Sequence, residues 1–167
     1  MNKLIFLDGP YGIGKTTVAD CICEISKEKY ICIDPDEYFN NDVKRYFLWG
    51  WPIPCNKAIL REIQRNVEEK IKECNIVIPL TLNSSKYKND WVHSFNDLAE
   101  LHHIVLIADR KTILNRIRDD VQRDKSLAME QLDDNWRYYQ RDIEGTIKID
   151  TSEMAPQVVA SKVLEVV

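Results

Sequence analysis

The chain has little glycine and no long apolar run. It contains five glycines in 167 residues, where average usage would give about 12. No apolar stretch approaches the roughly 18 residues that a membrane-spanning helix needs, so we expect no membrane span. The N-terminus enters an apolar strand by residue 4 without a charged-then-apolar leader. We therefore expect a cytoplasmic protein.

The cysteines do not form a recognisable pattern. Their number is odd, and neither C-x-x-C nor a Cys/His ligand spacing occurs among Cys21, Cys23, Cys32, Cys55 and Cys74. This argues against a disulfide framework and against a zinc site. We expect reduced thiols that serve as small packing residues.

Charge and length limit the partners and the number of domains. The net charge is −4, with no basic stripe, so nucleic acid is not expected as the main partner. A chain of 167 residues with 44% hydrophobic content suits one substantial core. We predict a single domain over residues 1–167, as a monomer or a homodimer.

The most informative segment runs from Gly9 to Thr16. It reads G-x-x-x-x-G-K-T, follows the apolar residues 4–7 and precedes a helical pattern. Such a loop turns its backbone N–H groups toward phosphates, and the helix adds its positive end. Lys15 is expected at the β- and γ-phosphates, and Thr16 at Mg²⁺. The predicted nucleotide contacts of this segment are Gly9, Tyr11, Gly12, Ile13, Gly14, Lys15, Thr16 and Thr17.

Strand-length apolar runs alternate with longer stretches of helical period. This pattern predicts an α/β fold with a parallel sheet covered by crossover helices. One helix, at 55–73, places Ile59, Ile63, Val67 and Ile71 on a core-facing stripe. The predicted strands are 3–8, 30–33, 75–81, 103–108 and 146–149, and the predicted helices are 15–28, 37–48, 55–73, 85–101, 110–122, 126–141 and 156–166.

Two carboxylates follow the second predicted strand. Ligands of an open parallel sheet collect at the carboxyl ends of its strands, and Asp34 and Asp36 come directly after one. Phosphoryl transfer to an alcohol needs a carboxylate beside the acceptor hydroxyl and an acid near Mg²⁺. Either aspartate can act as the base, and Asp34 is the better functional candidate. Asp36 is equally consistent with a helix N-cap.

The third predicted strand contributes no acid at its end. Metal binding is therefore assigned to Thr16 with the Asp34/Asp36 pair. Thr81 and Asn83 either hydrogen-bond a substrate or form a plain strand exit. A dense set of aromatic side chains either lines an apolar acceptor pocket or packs in the core or lid: Tyr11, Tyr38, Phe39, Tyr46, Phe47, Trp49, Trp51 and Trp91.

The segment after the fourth strand is rich in arginine. A guanidinium fork suits the charge that develops on a transferred phosphoryl group, which makes Arg116, Arg118 and Arg123 the candidates. Alternatively, these arginines are only part of a solvent-exposed helix face. His102 and His103 are expected to be structural, because they lie at the amino end of the predicted strand, away from the site.

These motifs together resemble the small P-loop kinases that include shikimate and gluconate kinases and, more closely, the tunicamycin-resistance ATP-binding protein family. The resemblance implies a three-layer α/β/α P-loop NTPase fold with a five-stranded sheet in the order 2-3-1-4-5. It also implies a helical lid near 119–130 and adenine held between the Arg110 to Arg116 helix start and the Thr151 to Pro156 loop, with contacts at Arg110, Thr151 and Ser152. The lid departs from the pattern, with Asp119-Asp120 where a further arginine is usual. The likeness rests on Gly9 to Thr16, Asp34-Pro35, Ile78-Pro79-Leu80-Thr81, His102-His103, Thr112 to Arg118 and Ile149-Asp150-Thr151-Ser152.

The predicted function is ATP- and Mg²⁺-dependent phosphorylation of a hydroxyl group on a small molecule, such as an antibiotic or a metabolite. Asp34 or Asp36 is the expected base. Two alternatives stay open. One is an ATP-binding resistance protein that binds a drug such as tunicamycin without modifying it. The other is a nucleic-acid end kinase, which the negative net charge disfavours.

Overall fold

The computed structural model describes residues 1–38, 57–121 and 125–167. Several sequence predictions lie outside these residues. They are most of the predicted 37–48 helix, the aromatic residues Phe39, Tyr46, Phe47, Trp49 and Trp51, the thiol of Cys55, and Arg123. Over the described residues, no helix combines the length and apolar character needed to cross a membrane.

The described strands form one parallel sheet. They are β1 (Lys3–Asp8), β2 (Tyr30–Cys32), β3 (Asn75–Pro79), β4 (Glu100–Ile107) and β5 (Ile147–Asp150). Their order is β2-β3-β1-β4-β5, and every neighbouring pair is parallel. The predicted order is confirmed. Since β1 lies at the centre, the loop that follows it opens at the middle of the sheet edge.

Helices cover both faces of the sheet. Side chains alternate along β1, so that Ile5 and Leu7 pack in one core cluster, and Leu4 and Phe6 in the other. This arrangement confirms the three-layer prediction. The described helices are α1 (Lys15–Ile25), α2 (Lys57–Lys70), α3 (Ser85–Phe95), α4 (Arg110–Asp119), α5 (Ser126–Glu130), α6 (Leu132–Gln140) and α7 (Pro156–Val166).

The predicted apolar stripe is confirmed as core. Ile59, Ile63, Val67 and Ile71 are all buried against the β1 face that carries Leu4 and Phe6. On the opposite face, α1 and α7 pack together behind the phosphate loop. The two helix layers therefore hold the loop and its neighbouring strand ends at one edge of the sheet.

Some element boundaries were wrong. The predicted helix 85–101 ends at Phe95, and β4 begins at Glu100 rather than at 103. The reason is tertiary, because Glu100 pairs with Lys3 of β1 and extends the strand through polar residues. The predicted helix 126–141 is two helices that meet at Gln131, and the predicted helix 110–122 ends at Asp119.

Candidate functional site

The phosphate loop joins β1 to α1. Gly12 and Gly14 have φ angles of +78° and +99°, which glycine adopts without steric cost. A Cβ on Gly12 would lie 2.3 Å from Cγ1 of Ile117 on α4. Gly14 is the N-cap of α1, and it has no side chain to cap the first turn of this helix. The helix therefore presents its amide end to the loop, as an anion site requires.

Lys15 folds back over its own loop. Its Nζ donates to the backbone oxygens of Gly9 and Pro10, each at 2.9 Å. It also lies 5.7 Å from the ring centroid of Tyr11. The ammonium group is thus already at the mouth of the loop, where the sequence predicted a phosphate contact.

The structure brings Thr16 and Asp34 together. Thr16 Oγ1 is 3.4 Å from Asp34 Oδ2, although the two residues belong to different βα units. Asp34 Oδ1 also accepts a hydrogen bond from the backbone N–H of Asp36 at 2.9 Å. Two hard oxygen donors at this separation fit Mg²⁺, which prefers carboxylate and hydroxyl oxygens and keeps several waters.

Asp36 lies on the short 3₁₀ turn Pro35–Tyr38, on the exposed side. Within the described part of the chain, the side chain that caps this turn is that of Asp34. Burial raises the pKa of Tyr11 to about 12, and the nearby charge of Asp36 adds to the shift. Asp36 therefore lies near Tyr11 of the phosphate loop, and both residues line the same cleft.

The loop opens into a cleft of about 700 Å³. One end contains Asp34, Asp36 and the side chains that follow β3. The other end lies between α4 and the segment after β5. Besides the loop residues Tyr11 to Thr17, its lining includes Asp34, Pro35, Asp36, Leu80, Thr81, Trp91, Arg116, Asp120, Lys125, Leu127, Ala128, Thr151, Met154 and Pro156.

Arg116 connects the phosphate loop to the segment after β5. One Nη donates to the backbone oxygen of Ile13 at 3.1 Å and to Thr151 Oγ1 at 2.9 Å, and the other donates to the backbone oxygen of Thr151 at 2.7 Å. Burial lowers the pKa of this guanidinium. The sequence predicted a phosphoryl contact here, and the structure places the fork in a bridge between loops.

The other predicted nucleotide residues lie further away. Arg110 pairs with Asp133 of α6, with Nε 2.6 Å from Oδ1, and this hydrogen bond raises the pKa of the guanidinium. Arg118 is an exposed residue of α4. Ser152 Oγ donates to Asp150 Oδ1 at 2.7 Å and accepts from the Asp109 N–H at 3.1 Å. None of these three predicted residues is among those that line the described cleft.

The strand exit after β3 takes part in the site. Thr81 lines the cleft, and its Oγ1 donates to the backbone oxygen of Gly9 at 3.1 Å. Asn83 Nδ2 donates to Asn135 Oδ1 of α6 at 2.9 Å. Trp91 is fully buried but reaches the cleft wall and stacks on Phe95, with ring centroids 5.6 Å apart.

Sequence reasoning missed Asp8. This buried acid ends β1 and contacts Gly9, Leu82, Tyr139 and His103. The available signal was an acid at the end of an otherwise apolar central strand. His103 was expected at the amino end of its strand, but the earlier start of β4 places it mid-strand, paired with Phe6.

Sequence comparison and structural comparison differ in outcome. No protein-family model matches the chain, and no curated protein matches it. Solved structures do match over nearly the whole chain. The tunicamycin resistance protein of Deinococcus radiodurans is 20% identical with a TM-score of 0.71, and the match covers 99% of this chain and 95% of that chain.

Two kinases match in the same way. A sugar kinase from a Janibacter species is 15% identical with a TM-score of 0.72, covering 99% of this chain and 94% of that chain. A gluconokinase from Sinorhizobium meliloti is 16% identical with a TM-score of 0.69, covering 98% and 90%. At these identities the likeness concerns the fold. The chain has the fold of the small P-loop kinases.

Proposed function

We propose that the protein is an ATP- and Mg²⁺-dependent phosphotransferase that phosphorylates a hydroxyl group of a small molecule. One observation carries the proposal. Thr16 and Asp34 approach within 3.4 Å beside the phosphate loop, in the same cleft as Lys15. A cation, a hydroxyl and a carboxylate around one polyphosphate-sized cleft are the groups that positioning and charge neutralisation require.

The phosphate loop holds the nucleotide in this proposal. Lys15 turns from the backbone oxygens of its loop to the β- and γ-phosphates, and the amide end of α1 faces the same phosphates. The adenine ring of the nucleotide lies toward Arg116, Thr151 and Met154, at the end of the cleft formed by α4 and the segment after β5. We propose ATP as the nucleotide, in preference to other nucleoside triphosphates.

The two aspartates divide the remaining work. Thr16 Oγ1 and Asp34 hold Mg²⁺, which neutralises phosphate charge when bound. Asp36 accepts the proton of the acceptor hydroxyl, because it lines the cleft near Tyr11 of the loop, whereas Asp34 contacts Thr16. The acceptor then rests near Leu80, Thr81 and Trp91, where one apolar wall meets hydrogen-bonding groups.

The lid and the arginines complete the proposed domain. We assign residues 1–167 to one cytoplasmic domain, monomeric or homodimeric, with a lid at 119–130. Leu127 and Ala128 of α5 line the cleft from within that segment. Arg118 and Arg123 remain proposed phosphoryl contacts that lid closure brings in. Arg116 acts mainly by joining the phosphate loop to the Thr151 segment.

A second candidate is an ATP-binding resistance protein that holds a drug without modifying it. It is favoured by Arg116, whose donors bind backbone and hydroxyl oxygens instead of pointing at a phosphoryl position. The tunicamycin resistance protein with the same fold is compatible with this reading. The two candidates share the nucleotide site and differ in whether a phosphoryl group moves.

The deciding experiment incubates purified protein with Mg·ATP and a panel of sugars, hydroxy acids and hydroxyl-bearing antibiotics, including tunicamycin. Acceptor-dependent ADP release, with a phosphorylated product by mass spectrometry, is expected. Ligand that binds and is recovered unchanged after long incubation supports the second candidate. Phosphorylation of a 5′-hydroxyl oligonucleotide alone would overturn the small-molecule assignment.

The panel needs matched variants. Lys15→Ala is expected to remove both ADP release and nucleotide binding. Lys162→Ala changes an exposed lysine of α7 and is the control for a general loss of positive charge. Equal turnover in the Lys15→Ala variant and the wild type would contradict the site assignment.

A further inference from the structure

A buried carboxylate lies directly beneath the phosphate loop. Asp8 is 1% exposed. Its Oδ1 accepts hydrogen bonds from the N–H of Gly9 at 2.7 Å, the N–H of Leu82 at 2.9 Å and the hydroxyl of Tyr139 at 2.6 Å. Its Oδ2 lies 2.9 Å from Nε2 of His103. Oδ1 therefore accepts three hydrogen bonds, and Oδ2 shares one with the imidazole of His103.

One oxygen of this carboxylate joins two segments that line the cleft. Gly9 begins the phosphate loop, and Leu82 directly follows Thr81 at the exit of β3. Thr81 Oγ1 adds a second link, since it donates to the backbone oxygen of Gly9 at 3.1 Å. The position of the loop relative to the strand exit therefore depends on Asp8.

The first peptide unit of the loop has little room. A Cβ on Gly9 would lie 2.7 Å from the backbone oxygen of Leu106. The carbonyl of Gly9 accepts from Lys15 and Thr81. If Lys15 turns to a phosphate, its bond to the Gly9 carbonyl is lost, whereas the bond from the Gly9 N–H to Asp8 involves neither Lys15 nor that carbonyl.

Charge alone disfavours an acid at this position. A buried negative charge beside an anion site repels polyphosphate, and burial reduces screening by salt. The presence of Asp8 therefore calls for a geometric explanation. The four groups that converge on it, the donors Gly9, Leu82 and Tyr139 and the imidazole of His103, supply one.

We infer that Asp8 is a positioning residue that holds the Gly9 and Leu82 amides, and through them sets the phosphate loop against the acceptor edge of the cleft. Tyr139 of α6 and His103 of β4 are the remaining partners of its two oxygens and are not required to hold the two amides. The inference rests on the nucleotide-binding part of the proposed function.

The test compares two variants by calorimetry with Mg·ATP. Asp8→Asn and Asp8→Ala both remove the charge, but only Asp8→Asn keeps an oxygen that can accept from Gly9 and Leu82. We expect Asp8→Asn to bind as tightly as the wild type or more tightly, and Asp8→Ala to bind about tenfold more weakly. Equal affinities in the two variants would overturn the inference.

Tyr139→Phe is the control for general loosening. It removes one donor from the same buried network but leaves the acceptor for Gly9 and Leu82. We expect a lower unfolding temperature with unchanged ATP affinity at a temperature well below unfolding. If Tyr139→Phe weakens ATP binding as much as Asp8→Ala does, the effect is not specific to the loop anchor and the inference fails.

Amide hydrogen exchange measured by NMR tests the anchor without nucleotide. In the wild type and in Asp8→Asn, the Gly9 and Leu82 amides are expected to exchange slowly. This exchange measurement uses only the wild type and Asp8→Asn, so it tests the inference even if Asp8→Ala does not fold. A Gly9 amide that exchanges as fast as an exposed loop amide would overturn the inference even where ATP binds. Two protected amides in a wild type that does not bind ATP would support the anchor and refute the proposed function.

Discussion

Arg116 binds Thr151 through both ends of its guanidinium fork, at 2.9 Å to Oγ1 and 2.7 Å to the backbone oxygen. The same fork reaches the backbone oxygen of Ile13 in the phosphate loop. Thr151 is 2% exposed, and its hydroxyl also donates to the backbone oxygen of Ile107. Three segments that are distant in the chain thus meet at one side chain.

Arg116→Ala is predicted to destabilise the fold by about 2–3 kcal/mol, because three hydrogen bonds are lost and partly buried oxygens stay unpaired. Arg116→Lys should not restore the loss, since an ammonium group cannot replace a planar fork. Denaturant unfolding measures both. Arg118→Ala, on the exposed side of the same helix, should stay within about 0.5 kcal/mol of the wild type. Equal losses at Arg116 and Arg118 would contradict the bridge.

Lys15→Ala is predicted to weaken ATP binding by about 100-fold, because two charge-assisted hydrogen bonds to phosphate are lost. A loss of stability of about 1–2 kcal/mol should accompany this, since the lysine bonds in the nucleotide-free protein go to backbone oxygens of the buried residues Gly9 and Pro10. Calorimetry with Mg·ATP measures the affinity, and Lys162→Ala is the control. Retained affinity in Lys15→Ala would remove the basis of the nucleotide site.

Asp34→Asn is predicted to reduce the effect of magnesium on ATP binding by about tenfold, because a charged oxygen ligand becomes neutral. The amide oxygen can still accept from the N–H of Asp36, so the turn should persist. Titrations with Mg²⁺ and with EDTA separate the metal effect from the nucleotide effect. Asp36→Asn should leave the magnesium effect within about twofold while turnover falls. The opposite pattern would exchange the roles of the two aspartates.

Gly12→Ala is predicted to destabilise the protein more than Gly145→Ala. Both glycines have similar positive φ angles, +78° and +71°, and that strain alone costs about 1–2 kcal/mol. A Cβ at 145 meets no atom within 4 Å, whereas one at 12 collides with Ile117. The collision should add about 1–3 kcal/mol. Equal unfolding free energies in the two variants would contradict the packing of the loop against α4.

Thiols are predicted to make the fold sensitive to alkali. Burial raises the pKa of Cys23 from 9.0 to about 11 and that of Cys32 to about 12, with nearby carboxylates adding to both shifts. The protonated thiol is therefore favoured in the folded state. The contribution of each protonated thiol to the free energy of unfolding is complete below pH 9. It is lost as the pH rises through the pKa that the thiol has in the folded state.

Denaturant unfolding between pH 8 and pH 12 measures this dependence. The double variant Cys23→Ser with Cys32→Ser should show a shallower decline, because serine does not titrate there. Tyr11 and the other buried tyrosines contribute to the decline in both proteins, so the difference between the two curves reports the thiols. Identical slopes would contradict the assigned burial.

Much of the fold could be predicted from local sequence patterns. The apolar run of β1, the G-x-x-x-x-G-K-T loop and the stripe from Ile59 to Ile71 each carry their signal within one element. A glycine loop depends on the backbone φ angles of its own residues, and an amphipathic helix depends on the spacing of its apolar residues. Both are properties of residues close together in the sequence. The start of β4 could not be predicted from the sequence, since pairing with Lys3 of β1 extends that strand through polar residues.

The roles of single polar side chains were decided by tertiary structure. Asp34 was predicted at the site because it follows a strand end, and the sheet order brings it to Thr16. Asp8 and Arg116 could not be assigned in the same way, because, apart from Gly9 beside Asp8, their partners lie on other elements far along the chain. Sequence supplies the donors and acceptors and their order, whereas only the packing of the sheet and helices decides which of them come within hydrogen-bond distance.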